Sequence, residues 1–364
     1  MPSLLAASLE HPAGFVGQLG SLRHTRKLSL YGFRTAALLD GGGEEPGGGF
    51  PAFRDLRNLY LDQCDVGVDC QALRCFLRSS PSLETLTMRY CGFSGGSRRK
   101  NRKALSADKA SSSGSRRVPA SYACKNLKSV EIKYHDDQDV SELNGLKAAY
   151  SWIRRALTRR PMAVAIRCDG SGDPIFTEPP EFSFDHYCRG GGAFTCRLRA
   201  LQLYGVTLEE QFAGTIAGGE LPVLEDLRLE ECDFSFARIA STSLQNLAIY
   251  NCDAFVHGVG VLALAAPRLA TLRIHGSDTP PVAAEGEMPS LVAASLENPA
   301  GLLGLLGSLR HATKLSLYGF GWTALIDGGR EPGGFPVFRN LRNLVLDECD
   351  VGVECQAISF ILKL

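Results

Sequence analysis

The stretch Leu224-Glu-Asp-Leu-Arg-Leu-Glu-Glu-Cys232 decides the fold. Leu227 and Leu229 alternate with polar neighbours, the period of a strand with one buried face, because successive strand side chains point to opposite sides. Cys232 stands three residues past the second leucine. Four other cysteines keep that spacing, in Leu59-x-Leu61-x-x-Cys64, Leu86-x-Met88-x-x-Cys91, Leu247-x-Ile249-x-x-Cys252 and Leu344-x-Leu346-x-x-Cys349. These cysteines mark a repeated structural position and are read as reduced thiols. Working outward, the same strand core recurs at Leu28-Ser-Leu30, Val130-Glu-Ile132, Val164-Ala-Ile166, Leu201-Gln-Leu203, Leu272-Arg-Ile274 and Leu315-Ser-Leu317, with weaker copies at Ala7-Ser-Leu9 and Ala294-Ser-Leu296. One such segment says little, since any half-buried strand alternates. Thirteen in series, mostly 20 to 37 residues apart, are hard to obtain by chance.

The series follows L-x-x-L-x-L-x-x-N/C-x-L, the leucine-rich repeat. The fold class expected is therefore α/β: a leucine-rich-repeat solenoid, with parallel strands lining the inside of an arc and helices or irregular turns covering the outside. A larger repeat overlies the first. Residues 2–40 align with 289–327, and 51–77 with 336–362; 46 of these 66 positions are identical. Met1 aligns with the internal Met288, so the chain is read as beginning inside a repeated unit.

The chain of 364 residues carries 39 Lys plus Arg against 39 Asp plus Glu. No global field draws it to nucleic acid or to an anionic membrane, so any charge argument is local. No window approaches the roughly 18 apolar residues of a membrane span, and no basic segment precedes the short apolar run at the N-terminus. The expectation is a protein of the cytoplasm, the nucleus or both. Two blocks are expected: 1–135, interrupted by a basic, disordered insertion over 95–123, and 145–364, which repeats 2–77 at 289–362. An amphipathic helix is predicted over Leu146–Arg159, since Leu146, Ala149, Tyr150, Ile153 and Leu157 share one face. Gly41–Gly49 and Gly328–Gly334 read as loop tips, and Pro174–Gly192 as irregular.

The assembled residues resemble the leucine-rich region of plant F-box proteins of the FBD-associated type. The likeness runs through Ser151-Trp-Ile-Arg-Arg-Ala-Leu157, Leu201-Gln-Leu-Tyr-Gly-Val206, Leu224-Glu-Asp-Leu-Arg-Leu229, Ala266-Pro-Arg-Leu-Ala-Thr-Leu272 and Met288-Pro-Ser-Leu291. Residues 1–135 resemble the distal half of the same region, through Ser80-Pro-Ser-Leu-Glu-Thr-Leu-Thr-Met88 and Lys125-Asn-Leu-Lys-Ser-Val-Glu-Ile132. The resemblance implies that the repeats present a substrate while an F-box docks on the adaptor of a cullin-type ubiquitin ligase. No F-box pattern is recognisable before Trp152 or near Met1, so only the substrate-binding half of that role carries over, and the adaptor is a secondary candidate partner.

Catalytic motifs are missing from the sequence: it holds no phosphate-binding loop, no serine elbow and no zinc-protease helix. The expectation is a protein that is not an enzyme, with no cofactor and no metal. His186, Cys188 and Cys196, with Cys168, offer ligand types but not the close pairing that structural zinc uses. The run Arg98, Arg99, Lys100, Arg102 and Lys103 is a candidate nuclear-import signal, and 98–117 an alternative nucleic-acid contact, although no aromatics are interleaved with it. The main expectation is a protein partner on the concave strand face. Its candidate contacts are the residues after the second apolar position of each core: Tyr31, Asp62, Arg89, Lys133, Arg167, Tyr204, Glu230, Tyr250, His275, Tyr318 and Asp347. Tyr and Arg predominate at binding hot spots.

Overall fold

The computed structural model describes residues 5–10, 19–34, 50–66, 71–92, 126–136, 160–170, 181–182, 197–254, 261–277, 279–297, 305–321 and 337–352. The chain divides into two compact units, Met1–Lys128 with Asp139–Trp152, and Ser129–Gln138 with Ile153–Leu364.

In the first unit, β1 (Ala6–Glu10), β2 (Lys27–Tyr31), β3 (Asn58–Asp62) and β4 (Thr85–Arg89) pair in parallel in chain order. Their registers put like on like: Leu28 beside Leu59 and Leu86, and Leu30 beside Leu61 and Met88. Helix α1 (Gln71–Ser79) connects β3 to β4 and buries Ala72, Leu73, Phe76 and Leu77, the one-sided spacing of an amphipathic helix. Phe76 is the hub of an aromatic cluster, with ring centroids 4.9 Å from Phe50, 5.9 Å from Phe53 and 6.5 Å from Phe33.

The second unit holds β5 (Ser129–Asp136), β6 (Ala163–Gly170), β7 (Ala200–Tyr204), β8 (Asp226–Glu230), β9 (Asn246–Tyr250), β10 (Thr271–His275), β11 (Ala293–Glu297), β12 (Lys314–Tyr318) and β13 (Asn343–Asp347). All pair in parallel with their neighbours in this order. Leu201, Leu227, Leu247 and Leu272 form one buried row, and Leu203, Leu229, Ile249 and Ile274 the next. Two small parallel sheets lie off the main strands. One pairs Glu181–Phe182, Thr207–Leu208, Asp233–Phe234 and Asp253–Ala254; the other pairs Arg238–Ala240, Leu262–Ala265 and Val282–Ala284. Helix α2 (Glu210–Ala217) buries Phe212, Ala213 and Ile216. The fold is thus α/β, mostly parallel sheet with few helices, and every one of the 13 strand cores read from the sequence lies in a parallel strand.

A single device ends most strands and explains the cysteine spacing. The residue after the fifth strand position turns left-handed: Gly32 (φ 62), Gln63 (52), Tyr90 (48), Gly205 (63), Glu231 (51), Asn251 (48), Gly319 (65) and Glu348 (51). Left-handed backbone costs a residue with a Cβ about 1–2 kcal/mol. The N–H of that residue offsets the cost by extending the ladder to the next strand, as Glu231 to the Tyr250 carbonyl (2.8 Å) and Asn251 to the His275 carbonyl (2.8 Å). The turn then drives the following side chain inward. That side chain is a buried Cys64, Cys232 or Cys252 in some turns and Phe33, Val206 or Phe320 in others.

The thiol suits this place because it is small and carries a donor. Cys64 donates to the Leu30 carbonyl at 3.3 Å, Cys232 to that of Leu203 at 3.5 Å and Cys349 to that of Leu317 at 3.3 Å, each reaching the preceding strand. The seven described cysteines are all free thiols. Hydrogen bonding with Cys232 and burial push the Cys252 thiol far up, so it stays protonated at neutral pH. Cys232→Ala removes the donor and leaves space in the stack; the expected loss is about 1–2 kcal/mol, measured by chemical denaturation, with no change in far-ultraviolet dichroism of the folded state.

The helix expected over Leu146–Arg159, the insertion over Gly95–Ala123 and the loop tips Gly41–Gly49 and Gly328–Gly334 lie outside the described residues. So does Pro174–Gly192 except for Glu181–Phe182, which form a short strand where the sequence reads as irregular. Among the described residues no helix is long and apolar enough to cross a membrane.

Candidate functional site

Strand alternation leaves the first, third and fifth positions of each main strand facing away from the leucines. In-register parallel pairing then lines the fifth positions into rows. The first unit carries Glu10, Tyr31, Asp62 and Arg89 in sequence across its four strands. In the second unit Lys133, Arg167, Tyr204, Glu230, Tyr250 and His275 are successive register partners, and Glu297, Tyr318 and Asp347 are likewise consecutive. All eleven residues named from the sequence stand at this fifth position.

Within the first unit the row is knitted to its neighbour row. Tyr60, at the third position of β3, donates to Asp62 at 2.8 Å and accepts from the Arg89 guanidinium at 3.1 Å. Its ring lies 5.6 Å from that of Tyr31. Burial, then the hydrogen bond to Asp62, raises the Tyr60 phenol above its ordinary value.

In the second unit, Lys133 and Arg167 share one carboxylate, Asp169, at 2.9 and 2.8 Å. The Arg167 guanidinium lies 3.6 Å from the centre of the Tyr204 ring, a cation–π contact. Tyr204 in turn donates to Glu231. Burial, and then that carboxylate, push the Tyr204 phenol up to about 12 from an ordinary 10.0. Folding therefore holds a proton that the unfolded chain releases near pH 10, so Tyr204 weakens the folded state as pH rises from about 10 through about 12. Titration of tyrosine absorbance is expected to show a late-ionising phenol that a Tyr204→Phe variant lacks. Glu231→Gln moves it part of the way back, because burial is the larger cause.

Farther along, Arg228 binds Glu230 at 2.8 Å and reaches over the Tyr250 ring at 4.9 Å. The rings of Tyr250, His275 and Tyr318 follow at 5.4 and 5.6 Å. His275 is held from both nitrogens, by Glu297 at 3.2 Å and Ser295 at 2.8 Å. A serine, histidine and carboxylate in line have the ingredients of an activated nucleophile. Acyl transfer also needs preorganised donors beside the serine. On this strand the pairing with β10 and β12 occupies the backbone N–H groups.

Sequence reasoning omitted Glu10 and Glu297, although the rule that found the others applies equally to the weaker cores Ala7-Ser-Leu9 and Ala294-Ser-Leu296. It also omitted the third-position residues Tyr60, Arg228 and Arg273, which the same alternation turns outward. Of the cysteine and histidine group considered for metal, only Cys168 is described, and it is buried in β6. Among the described residues no cluster of three ligand side chains could hold a metal ion. The basic residues Arg98, Arg99, Lys100, Arg102 and Lys103 lie outside the described residues.

No protein-family profile matches the chain. Over 116 residues it is 42% identical to the meiotic F-box protein MOF of rice, Oryza sativa subsp. japonica. The chain resembles part of a rice F-box protein. The likeness covers 32% of this chain and 23% of the rice protein, so the chain spans under a quarter of that relative.

Proposed function

We propose that this chain is a non-enzymatic, protein-binding leucine-rich-repeat solenoid of the F-box substrate-receptor type, acting in the cytoplasm or nucleus. The observation that carries the reading is the outward row from Lys133 to Tyr250, five consecutive strands bearing Lys, Arg, Tyr, Glu and Tyr in register. A parallel ladder holds such side chains about 4.8 Å apart on a backbone that cannot rearrange cheaply. Little ordering entropy then remains to be lost when a partner docks. Tyr and Arg add contact area and hydrogen bonding in the same place. The partial likeness to the rice F-box protein supports the receptor role, and recurrence of one strand core supports the solenoid.

The test is affinity capture of the tagged full chain from plant cells, beside a Tyr204→Ala/Tyr250→Ala variant shown to be folded by circular dichroism. Partners retained by the wild type and lost by the variant are the expected result. The same partners on both would place binding elsewhere and overturn the reading. Co-purification of the cullin adaptor would assign the chain to the ligase pathway.

A further inference from the structure

The outward face of the second unit changes character at β10. From β5 to β8 its cations are answered within the protein: Lys133 and Arg167 by Asp169, and Arg228 by Glu230. Beyond that point Arg273, at the third position of β10, is exposed and makes no ion pair or hydrogen bond among the described residues. Lys314, at the first position of β12, is also exposed and also unpaired among them. Glu297, the carboxylate of β11, is engaged by His275.

The surroundings of Arg273 are shaped as well as charged. Its register partners are Ala248 on β9 and Ser295 on β11, and Ser295 is followed by Ser316 on β12. Small residues on both sides leave space around the exposed guanidinium, and the register implies a shallow trough there. One wall is the fifth-position shelf of Tyr250, His275 and Tyr318 rings. His275 reaches across to Ser295 at 2.8 Å and stands 3.2 Å from the Glu297 carboxylate, and these two contacts hold its ring at the edge of the trough. The site is therefore formed before any partner arrives, which lowers the entropy cost of docking.

We propose that this trough binds an acidic linear segment of a protein partner, with a carboxylate on Arg273, a second on Lys314 and the segment lying along the aromatic shelf. The inference rests on the protein-binding reading above and narrows its partner. From β9 to β12 there are three interstrand steps, about 14 Å at the usual spacing. About four extended residues cover that distance. A guanidinium recognises carboxylate through two parallel hydrogen bonds, which an ammonium cannot reproduce.

The test uses the full chain and fluorescein-labelled hexaglutamate, with hexalysine and a neutral Gly/Ser hexapeptide as comparison probes, read by fluorescence anisotropy. Hexaglutamate is expected to bind in preference to both and to weaken as salt rises. Arg273→Glu should cost about tenfold or more in affinity and Arg273→Lys roughly threefold. Arg238→Ala, on a small side sheet, should leave binding unchanged. Arg273 is exposed, so its variants are expected to keep the wild-type melting profile. Absence of hexaglutamate binding, equal binding of the neutral probe, or an Arg273→Glu variant that binds as well as wild type would each overturn the inference. Loss of captured partners in the Tyr204→Ala/Tyr250→Ala variant together with any of those results would leave the protein-binding reading standing and remove only the acidic segment.

Discussion

Leu229→Asp is expected to unfold the turns around β8, at a cost of about 4–5 kcal/mol. Leu229 is fully buried, with Leu203 and Ile249 as its register neighbours. Among the described residues the side chains buried on the leucine side of the sheet around Leu229 are apolar, so an aspartate there must be buried charged or protonated. Either route takes a large share of the 5–15 kcal/mol that typically holds a domain together. Each turn rests on its neighbours, so the loss spreads to β7 and β9. The control is one residue away. Arg228 is exposed, and Arg228→Asp should cost about 1 kcal/mol or less beyond its ion pair with Glu230. Thermal melts of the two variants read the register directly, because a one-residue slip exchanges the buried and exposed faces. Arg228→Asp more damaging than Leu229→Asp would refute the register.

Gly205→Ala is expected to cost about 3 kcal/mol or more, far above an ordinary glycine replacement. Gly205 ends β7 with φ +63, and a Cβ built on it would stand 2.3 Å from the Cys168 carbonyl oxygen. That oxygen belongs to the backbone of β6 and cannot retreat without breaking the ladder. Gly219 separates the two contributions. It has φ +76 but no heavy atom within 4 Å of its Cβ position, so Gly219→Ala carries the backbone penalty alone, about 1 kcal/mol. Urea denaturation of both variants gives the difference. Equal costs would mean that backbone conformation, and not the close approach of β6, makes glycine necessary at 205.

The strand cores were legible because alternation is a local property: Leu-x-Leu must present both leucines to one side whatever surrounds it. The residues that end the strands were less legible. Gly32, Gln63, Glu231 and Asn251 share a left-handed backbone, yet nothing about a glutamine or a glutamate announces it. What holds them there is a hydrogen bond to the next strand, about 19 to 30 residues later, as Glu231 to Tyr250 and Gly32 to Asp62. The cysteine spacing was visible in the sequence, but its thiol bonds to Leu30, Leu203 and Leu317 required the preceding turn to be in place.

The outward face divides in the same way. Its fifth-position residues follow from counting along each strand, and Tyr204, Tyr250 and His275 could be named without any structure. Their partners could not. Arg167 has Asp169 two residues on along its own strand, but Lys133 meets that same carboxylate, and His275 meets Ser295 and Glu297, only because parallel pairing brings those strands into one register. The sequence by itself determined the strand cores, the side of each strand that is buried and the internal duplication, all consequences of short-range pattern. Only the tertiary structure decided which cations find a carboxylate across strands, as Lys133 finds Asp169, and which, like Arg273, make no ion pair among the described residues, because those pairings depend on distances between residues that the chain places far apart.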